Sequence, residues 1–174
     1  MKFPEKYTEN SIRTFTDKVF DLKLLDPASI CIEDIAHGLS MQPRFGGQLN
    51  GFLSVAQHSC LVAVSVPVEH RLAALLHDAS EAYLGDMPSP FKKILPDFKE
   101  HENRVMEVIA EKFGFDFPLH KKVKEADYKM LSVEWIECVE KKNAAFYWTP
   151  KQAKERFLEH FYELSSSVVK LKAS

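Results

Sequence analysis

The sequence predicts an all-α protein that folds as one bundle of five or more helices. Apolar residues recur at helical spacing from about residue 30 to about residue 165, and strand-like alternation is scarce. Prolines such as Pro27, Pro67 and Pro88 separate the periodic segments. We expect a single domain over residues 1–174, because this length is about that of one ordinary domain, ~150 residues.

The first half of the chain predicts two helices after an unassigned start. Residues 1–28 mix apolar and polar positions and indicate neither strand nor helix. Residues 30–39 have helical spacing and predict a short helix, and the glycine-rich segment 46–51 marks a loop. Ser54 is expected to cap the next helix, with Gln57 three residues later completing a capping box.

The second half predicts four more helices. Residues 69–83 are apolar on more than one side, which is typical of a helix at the centre of a bundle. Asp97, followed by Glu100, is expected to open another helix, and Thr149 with Pro150 is expected to start the last one. These further helices are expected over residues 97–114, 119–139 and about 151–165.

Composition and charge exclude several classes of protein. Hydrophobic residues make up 45% of the chain and charged residues 28%, which indicates a globular protein rather than a disordered one. Lysine and arginine number 23 against 25 acidic residues, a net charge of -2. This balance gives no general attraction to a nucleic-acid backbone and argues against such a partner.

The cysteines and the apolar segments indicate a cytoplasmic location. The three cysteines are odd in number and widely spaced, which fits a reducing compartment better than a disulfide scaffold. No run approaches the ~18 apolar residues of a membrane helix. Residues 1–6 contain no apolar core, so we expect no signal peptide and no membrane partner.

His77 and Asp78 are the first candidates for chemistry, because they lie within the most apolar predicted helix. A buried carboxylate requires a partner. That partner can be the neighbouring histidine, as in a hydrogen-bonded core pair, or a divalent cation bound by both side chains. The dipeptide alone leaves both interpretations open.

Two more residues extend the candidate set. His58 lies among apolar residues on the preceding predicted helix, and Asp127 lies in the middle of the 119–139 segment. The alternative interpretation of His58 is a histidine packed in the core. The alternative interpretation of Asp127 is a residue on a solvated helix face. Together with His77 and Asp78, they form a set of two histidines and two aspartates on three helices. Such a set can hold one metal ion and leave positions open for water and substrate.

Sequence motifs around these residues resemble a known family. Arg44-Phe45 precedes His58 by 14 residues, residues 77–81 read His-Asp-x-x-Glu, and residues 85–92 read Gly-Asp-x-Pro-Ser-Pro-x-Lys. Over about residues 30–140, the chain resembles the HD-domain metal-dependent phosphohydrolases. Within them it is similar to the bacterial and prophage 5′-deoxynucleotidases of the YfbR type.

The resemblance implies a metal site and a residue that acts on water. One divalent transition metal ion, cobalt, manganese, iron, nickel or zinc, would be bound. Glu81 would orient or deprotonate a water on that ion, whereas its plain alternative is a solvent-facing glutamate. The implied metal ligands are His58, His77, Asp78 and Asp127.

The resemblance also implies how substrate is bound. Arg44 would bind the phosphate with its planar fork of donors. Asp86 would accept a hydrogen bond from the sugar hydroxyl, Phe45 would pack against the sugar, and Ser89 and Lys92 would assist the phosphate. The alternatives are a surface arginine, a turn aspartate and a core phenylalanine.

The expected activity is removal of the 5′-phosphate from deoxynucleoside monophosphates. The resemblance also suggests a homodimer. Rival enzymatic activities are deoxynucleoside triphosphate triphosphohydrolysis and the hydrolysis of cyclic nucleotides or guanosine tetraphosphate. A rival from another class is a non-catalytic nucleotide-binding regulatory module.

Overall fold

A computed structural model describes residues 6–172 and confirms the all-α prediction. A π-helical turn, Trp135–Glu140, directly follows the helix that ends at Glu134. The prediction about a signal peptide concerns residues 1–6, of which all but one lie outside the described range. The helices are α1 Ile32–Met41, α2 Val55–Val64, α3 Arg71–Leu75, α4 Glu81–Leu84, α5 Ser89–Lys92, α6 Pro96–Phe113, α7 Lys121–Glu134 and α8 Pro150–Lys172.

The segment that the sequence left unassigned forms a short hairpin. Strands β1, Ser11–Arg13, and β2, Val19–Asp21, pair antiparallel, and Phe20 of β2 is fully buried. The connecting turn is fastened to α1 by buried Asp34, which accepts hydrogen bonds from the Thr16 amide at 2.7 Å and the Thr16 hydroxyl at 2.9 Å. The hairpin therefore covers one side of the helical core.

Helices α1 and α2 lie where the periodicity predicts them. The Ser54 hydroxyl caps α2 by accepting from the Gln57 amide at 3.1 Å. The predicted capping box is wrong, because the Gln57 side chain turns away from the helix start. Its amide donates to the Phe146 carbonyl at 2.6 Å and its oxygen accepts from the Trp148 amide at 2.8 Å. Gln57 thus fastens the segment before α8 to α2.

The prediction of one continuous helix over residues 69–83 is wrong. The chain leaves helical geometry at Leu76 and passes through consecutive turns before α4 begins at Glu81. The His77 imidazole donates from Nδ1 to the Ala74 carbonyl at 2.7 Å. That carbonyl is the acceptor that an uninterrupted helix offers to Asp78. The break therefore falls at the residues predicted to carry chemistry.

The later helices agree with the predictions except at their ends. Helix α6 begins at Pro96, so Asp97 lies inside its first turn and is not the cap. It ends at Phe113 and is capped by Gly114, whose φ of 74° is left-handed. Thr149 and Gln152 form a reciprocal capping box at the start of α8, at 2.9 and 3.2 Å. Helix α8 continues past the expected residue 165.

The core is formed where α8 packs against α1, α2 and α3, while α7 crosses α2. Its largest fully buried side chains include Phe157 of α8 and Ile35 of α1. The cysteines form no disulfide, and Cys60 and Cys138 are buried. None of the described helices has the length and apolar character that a membrane span requires. Helix α2 therefore lies at the centre of the bundle, with α7 passing over it.

Gly38 allows α1 to approach α4 closely. A Cβ atom at this position would lie 3.0 Å from the Cα, Cβ and O atoms of Ala82, two of which belong to the backbone. Overpacking in Gly38→Ala should cost roughly 1–3 kcal/mol. Because alanine gains ~1 kcal/mol in helix propensity, we expect the free energy of unfolding to fall by up to ~2 kcal/mol. Urea denaturation measures the change.

Glu155→Ala on α8 is the control for that measurement. The Glu155 side chain is exposed and pairs with Lys151 only at 3.8 Å, so its loss should change the free energy by less than ~0.5 kcal/mol. A more stable Gly38→Ala protein would contradict the close contact between α1 and α4.

Candidate metal centre

The four predicted metal ligands meet where α2, the turn after α3 and α7 approach one another. His58 Nε2 lies 3.3 Å from His77 Nε2 and 3.0 Å from Asp127 Oδ1. Asp78 Oδ2 lies 3.1 Å from His77 Nε2 and 3.9 Å from His58 Nε2. The fold therefore brings together side chains that are up to 69 positions apart in the sequence.

Hydrogen bonds on the far side of each imidazole define the tautomer. His58 Nδ1 lies 2.7 Å from Glu134 Oε1, and His77 Nδ1 lies 2.7 Å from the Ala74 carbonyl. Because both partners are acceptors, each Nδ1 carries the hydrogen. In the neutral ring, each Nε2 then presents a lone pair to the cluster, as a metal-bound histidine does.

The donor set fits a single divalent cation. Two ligand atoms that bind one ion at ~2.1 Å and at right angles lie ~3.0 Å apart. The donor atoms of His58, His77 and Asp127 are mutually 3.0 to 3.8 Å apart, so they are close enough to share an ion. Mixed imidazole and carboxylate donors suit manganese, iron, cobalt, nickel or zinc.

The electrostatics of the cluster show how strongly it attracts positive charge. Burial alone would lower the pKa of His77, but the carboxylates of Asp78 and Asp127 outweigh it and raise that pKa well above its usual value. Burial would likewise raise the pKa of Asp127, yet hydrogen bonds to His58 and His77 hold it well below the usual range. Without a cation, a proton on His77 balances the carboxylates, so protons and a metal compete here.

Glu81 lies beside the cluster, where it is buried and in contact with Lys92. Lys92 Nζ contacts Glu81 Oε1 at 3.0 Å and Glu102 Oε1 at 2.6 Å. Glu81 Oε2 is also buried and has no hydrogen-bond partner among the described residues. Burial and the charges of Asp78 and Asp86 raise the pKa of Glu81 to about 9, although Lys92 opposes them. The alternative of a solvent-facing glutamate is therefore wrong.

The Arg44 side chain is only 12% exposed, which rules out the alternative of a surface arginine. Its Nε and Nη2 atoms both lie 3.0 Å from Glu134 Oε2, and its Nη1 lies 3.9 Å from Asp78 Oδ2. The guanidinium is 5.9 Å from the centre of the Phe45 ring. The arginine thus reaches from the loop before α2 to the edge of the cluster.

A cleft of about 630 Å³ borders the cluster. Asp78, Glu81 and Asp127 form part of its wall. The Gln42 side chain holds another part in place, because it donates to the Glu81 carbonyl and accepts from the Asp86 amide. Every residue predicted to contact substrate lines this cleft, namely Arg44, Phe45, Asp86, Ser89 and Lys92.

A second cleft reaches the cluster from another side. It measures about 450 Å³, and its wall includes His77, Asp127 and the apolar side chains of Met106 and Leu119. A larger cavity of about 830 Å³ is lined by residues 6–17 and contains none of the predicted site residues. The candidate centre is therefore accessible from two directions.

Three contributors to the site were not predicted from the sequence. Glu134 follows Asp127 by seven residues, two helical turns, so the two residues share a face of α7. That spacing was a usable signal. Glu102 and Gln42 had no comparable signal, because their roles depend on contacts with distant segments.

Comparison with known proteins places the chain in a family. The chain is 45% identical over 123 residues to the uncharacterized protein YfdR of Escherichia coli K12, and the match covers 71% of this chain and 69% of YfdR. It is also 40% identical to an uncharacterized protein of Rhodobacter capsulatus, with 61% of this chain and 62% of that protein covered. No family model matches. The chain belongs to the family of YfdR.

The raised pKa of Glu81 predicts a pH-dependent stability in the metal-free protein. Between the ordinary value of 4.5 and about 9, the folded chain keeps a proton that the unfolded chain has lost. Rising pH therefore removes stability across this window. Glu81→Gln cannot titrate, so the variant should gain stability relative to the original protein from pH 5 to pH 9. Urea denaturation in the presence of a chelator measures the difference.

Glu107→Gln, an exposed substitution on α6, is the control for this series. It should shift the pH–stability curve by a small constant at most. Curves for Glu81→Gln and the original protein that stay parallel from pH 5 to pH 9 would contradict the prediction.

Proposed function

We propose that the protein is a metal-dependent phosphomonoesterase that acts on deoxynucleoside 5′-monophosphates. The observation that carries this proposal is the convergence of His58, His77, Asp78 and Asp127 beside a cleft lined by Arg44 and Glu81. The resemblance of the motifs to HD-domain phosphohydrolases agrees with this arrangement. The homodimer suggested by the same resemblance remains part of the proposal.

The cluster would hold one divalent transition metal ion. When bound, such an ion supplies Lewis acidity and lowers the pKa of a water molecule that it binds. His58 and His77 contribute Nε2 atoms whose orientation is set by hydrogen bonds at Nδ1. Asp127 and Asp78 supply negative charge and remain partly exposed, at 44% and 23% of their side chains. The ligands therefore face a space that substrate can enter.

Arg44 would bind the phosphate of the substrate. Its Nε and Nη2 atoms are occupied by Glu134, so the guanidinium plane is fixed before substrate arrives. The Nη1 atom stays on the cluster side, 3.9 Å from Asp78. Phosphate oxygens accept well from a planar guanidinium, and a fixed donor loses little entropy on binding.

Glu81 would act as the general acid–base group for the proton that is transferred during hydrolysis. In the reaction, the oxygen of water joins phosphorus, the bond from phosphorus to the 5′ oxygen breaks, and one proton passes from the water to the leaving oxygen. Glu81 Oε2 is buried at the cleft without a described partner, so it can contact the water or the leaving group. Lys92 holds the other carboxylate oxygen at 3.0 Å.

Asp86 and Phe45 would select the sugar. Asp86 lines the cleft, and its backbone is fastened to Gln42 at 2.7 Å. Its carboxylate can accept from a 3′-hydroxyl, whereas the Phe45 ring offers no partner to a 2′-hydroxyl. A hydroxyl that is buried without a partner costs roughly 1–3 kcal/mol. The cleft should therefore favour deoxyribose.

Triphosphohydrolysis is the second candidate function. Lys92 and Lys124 line both clefts, so a longer phosphate chain could contact them. The charge of Lys92 is, however, already balanced by Glu102, whose Oε1 lies 2.6 Å from its Nζ. A non-catalytic nucleotide-binding module accounts less well for a buried Glu81 whose second oxygen lacks a described partner.

An activity screen tests the proposed function directly. The purified protein, freed of metal and supplied with each metal in turn, should hydrolyse dAMP with kcat/KM about ten- to hundredfold higher than AMP, given the cost of an unpartnered hydroxyl. It should also prefer dAMP to dATP. Equal rates on dAMP and AMP would contradict the sugar argument. Faster release of triphosphate from dATP would favour the triphosphohydrolase instead.

Substitutions of Glu81 and Asp78 separate chemistry from metal binding. Glu81→Ala should retain the metal and lose about 10²–10⁴-fold in turnover, the range for general acid–base groups. Asp78→Ala should lose both metal binding and turnover, because it removes a metal ligand. Calorimetric titration with Co²⁺ measures binding, and phosphate release from dAMP measures turnover. A Glu81→Ala protein with full turnover would show that Glu81 has no role in proton transfer.

A further inference from the structure

We infer that Glu134 is a positioning residue that holds one metal ligand and the phosphate-binding arginine in a fixed relation. This inference rests on the proposed function, since it assigns a role within the same site. The resemblance that identified the other site residues gave no role to position 134. The evidence is the set of contacts that its carboxylate makes.

Glu134 is a fully buried carboxylate whose two oxygens serve different partners. Its side chain is 0% exposed. Oε1 accepts from His58 Nδ1 at 2.7 Å, and Oε2 accepts from Arg44 Nε and Nη2, both at 3.0 Å. The partners come from α2 and from the loop before it, whereas Glu134 ends α7. One carboxylate therefore joins three parts of the chain.

The contact with His58 prepares this side chain for metal binding. A carboxylate that accepts from Nδ1 keeps the hydrogen on that nitrogen and leaves Nε2 with its lone pair toward Asp127 and His77. It also fixes the rotation of the ring and makes the imidazole a better donor to a metal. Without Glu134, the His58 ring could adopt the other tautomer or rotate away from the cluster.

The contact with Arg44 places a cation at a fixed distance from the same cluster. Two donors of the guanidinium meet one oxygen of Glu134, so the plane of the fork is set by α7. The remaining Nη1 lies 3.9 Å from Asp78 Oδ2 and is thereby kept beside a predicted metal ligand. Because both contacts use one carboxylate, metal binding and phosphate binding depend on the same residue.

The test is Glu134→Gln, which keeps the shape of the side chain and removes its charge. Glu140→Gln is the matched control, since Glu140 is an exposed glutamate six residues further along the same helical segment. Titration of the metal-free proteins with Co²⁺ should show a dissociation constant ~10–100-fold weaker for Glu134→Gln, the usual effect of removing such a partner. The visible absorption of the bound Co²⁺ should also change, and KM for dAMP should rise. Glu140→Gln should match the original protein in all three.

The outcomes distinguish this inference from the proposed function. If the original protein binds no Co²⁺, both are overturned. If it binds Co²⁺ and Glu134→Gln binds it with the same affinity and spectrum, only the role of Glu134 is overturned.

A measurement on the unsubstituted protein covers the case in which Glu134→Gln does not fold. In a Zn²⁺-loaded sample, long-range ¹H–¹⁵N correlations should show His58 with a protonated Nδ1 and a metal-bound Nε2. A metal-bound Nδ1, or a His58 ring that is free of metal, would overturn the inference.

Discussion

The structure depends on neutralising a group of charged side chains that the fold wholly or partly removes from water. His58 is fully buried, and its two ring nitrogens face carboxylates on both sides, Glu134 at 2.7 Å and Asp127 at 3.0 Å. Glu134 is fully buried, and a carboxylate removed from water is costly unless positive charge accompanies it. Arg44 supplies that charge on one side, and a divalent cation supplies it on the other in the proposed enzyme. The helices are arranged so that both positions remain available.

The architecture serves this cluster through three features. Helix α2 carries His58 through the middle of the core, so the imidazole sits among packed side chains that limit its movement. The chain leaves helical geometry after α3, which places His77 and Asp78 in turns whose side chains need not follow helical spacing. Helix α7 passes beside the cluster and contributes Asp127 and Glu134, which lie two helical turns apart. Fixed ligands of this kind bind a metal or substrate with little reorganisation.

Much of this arrangement could be predicted from the sequence, and the exceptions have physical reasons. Periodicity located α1, α2, α6, α7 and α8, because an amphipathic stripe is a local property of the chain. It joined α3 and α4 wrongly, because the His77 side chain takes a carbonyl that backbone pattern alone assigns to the helix. The predicted capping role of Gln57 was wrong for a similar reason. Its side chain makes hydrogen bonds with Phe146 and Trp148 across the fold instead of with the start of its own helix. Glu102 was missed because the role of a buried glutamate depends on partners from other segments. Glu134 was missed although its spacing from Asp127 on α7 was a usable signal.

The central claim is that one divalent cation binds where His58, His77, Asp78 and Asp127 meet. Crystals grown with Co²⁺ and measured at the cobalt absorption edge test it most directly. We expect one strong anomalous peak in each chain, in contact with Nε2 of both histidines and with oxygens of both aspartates. A map without a peak at this place, with His58 Nε2 hydrogen-bonded directly to Asp127, would contradict the claim and favour a metal-free core pair.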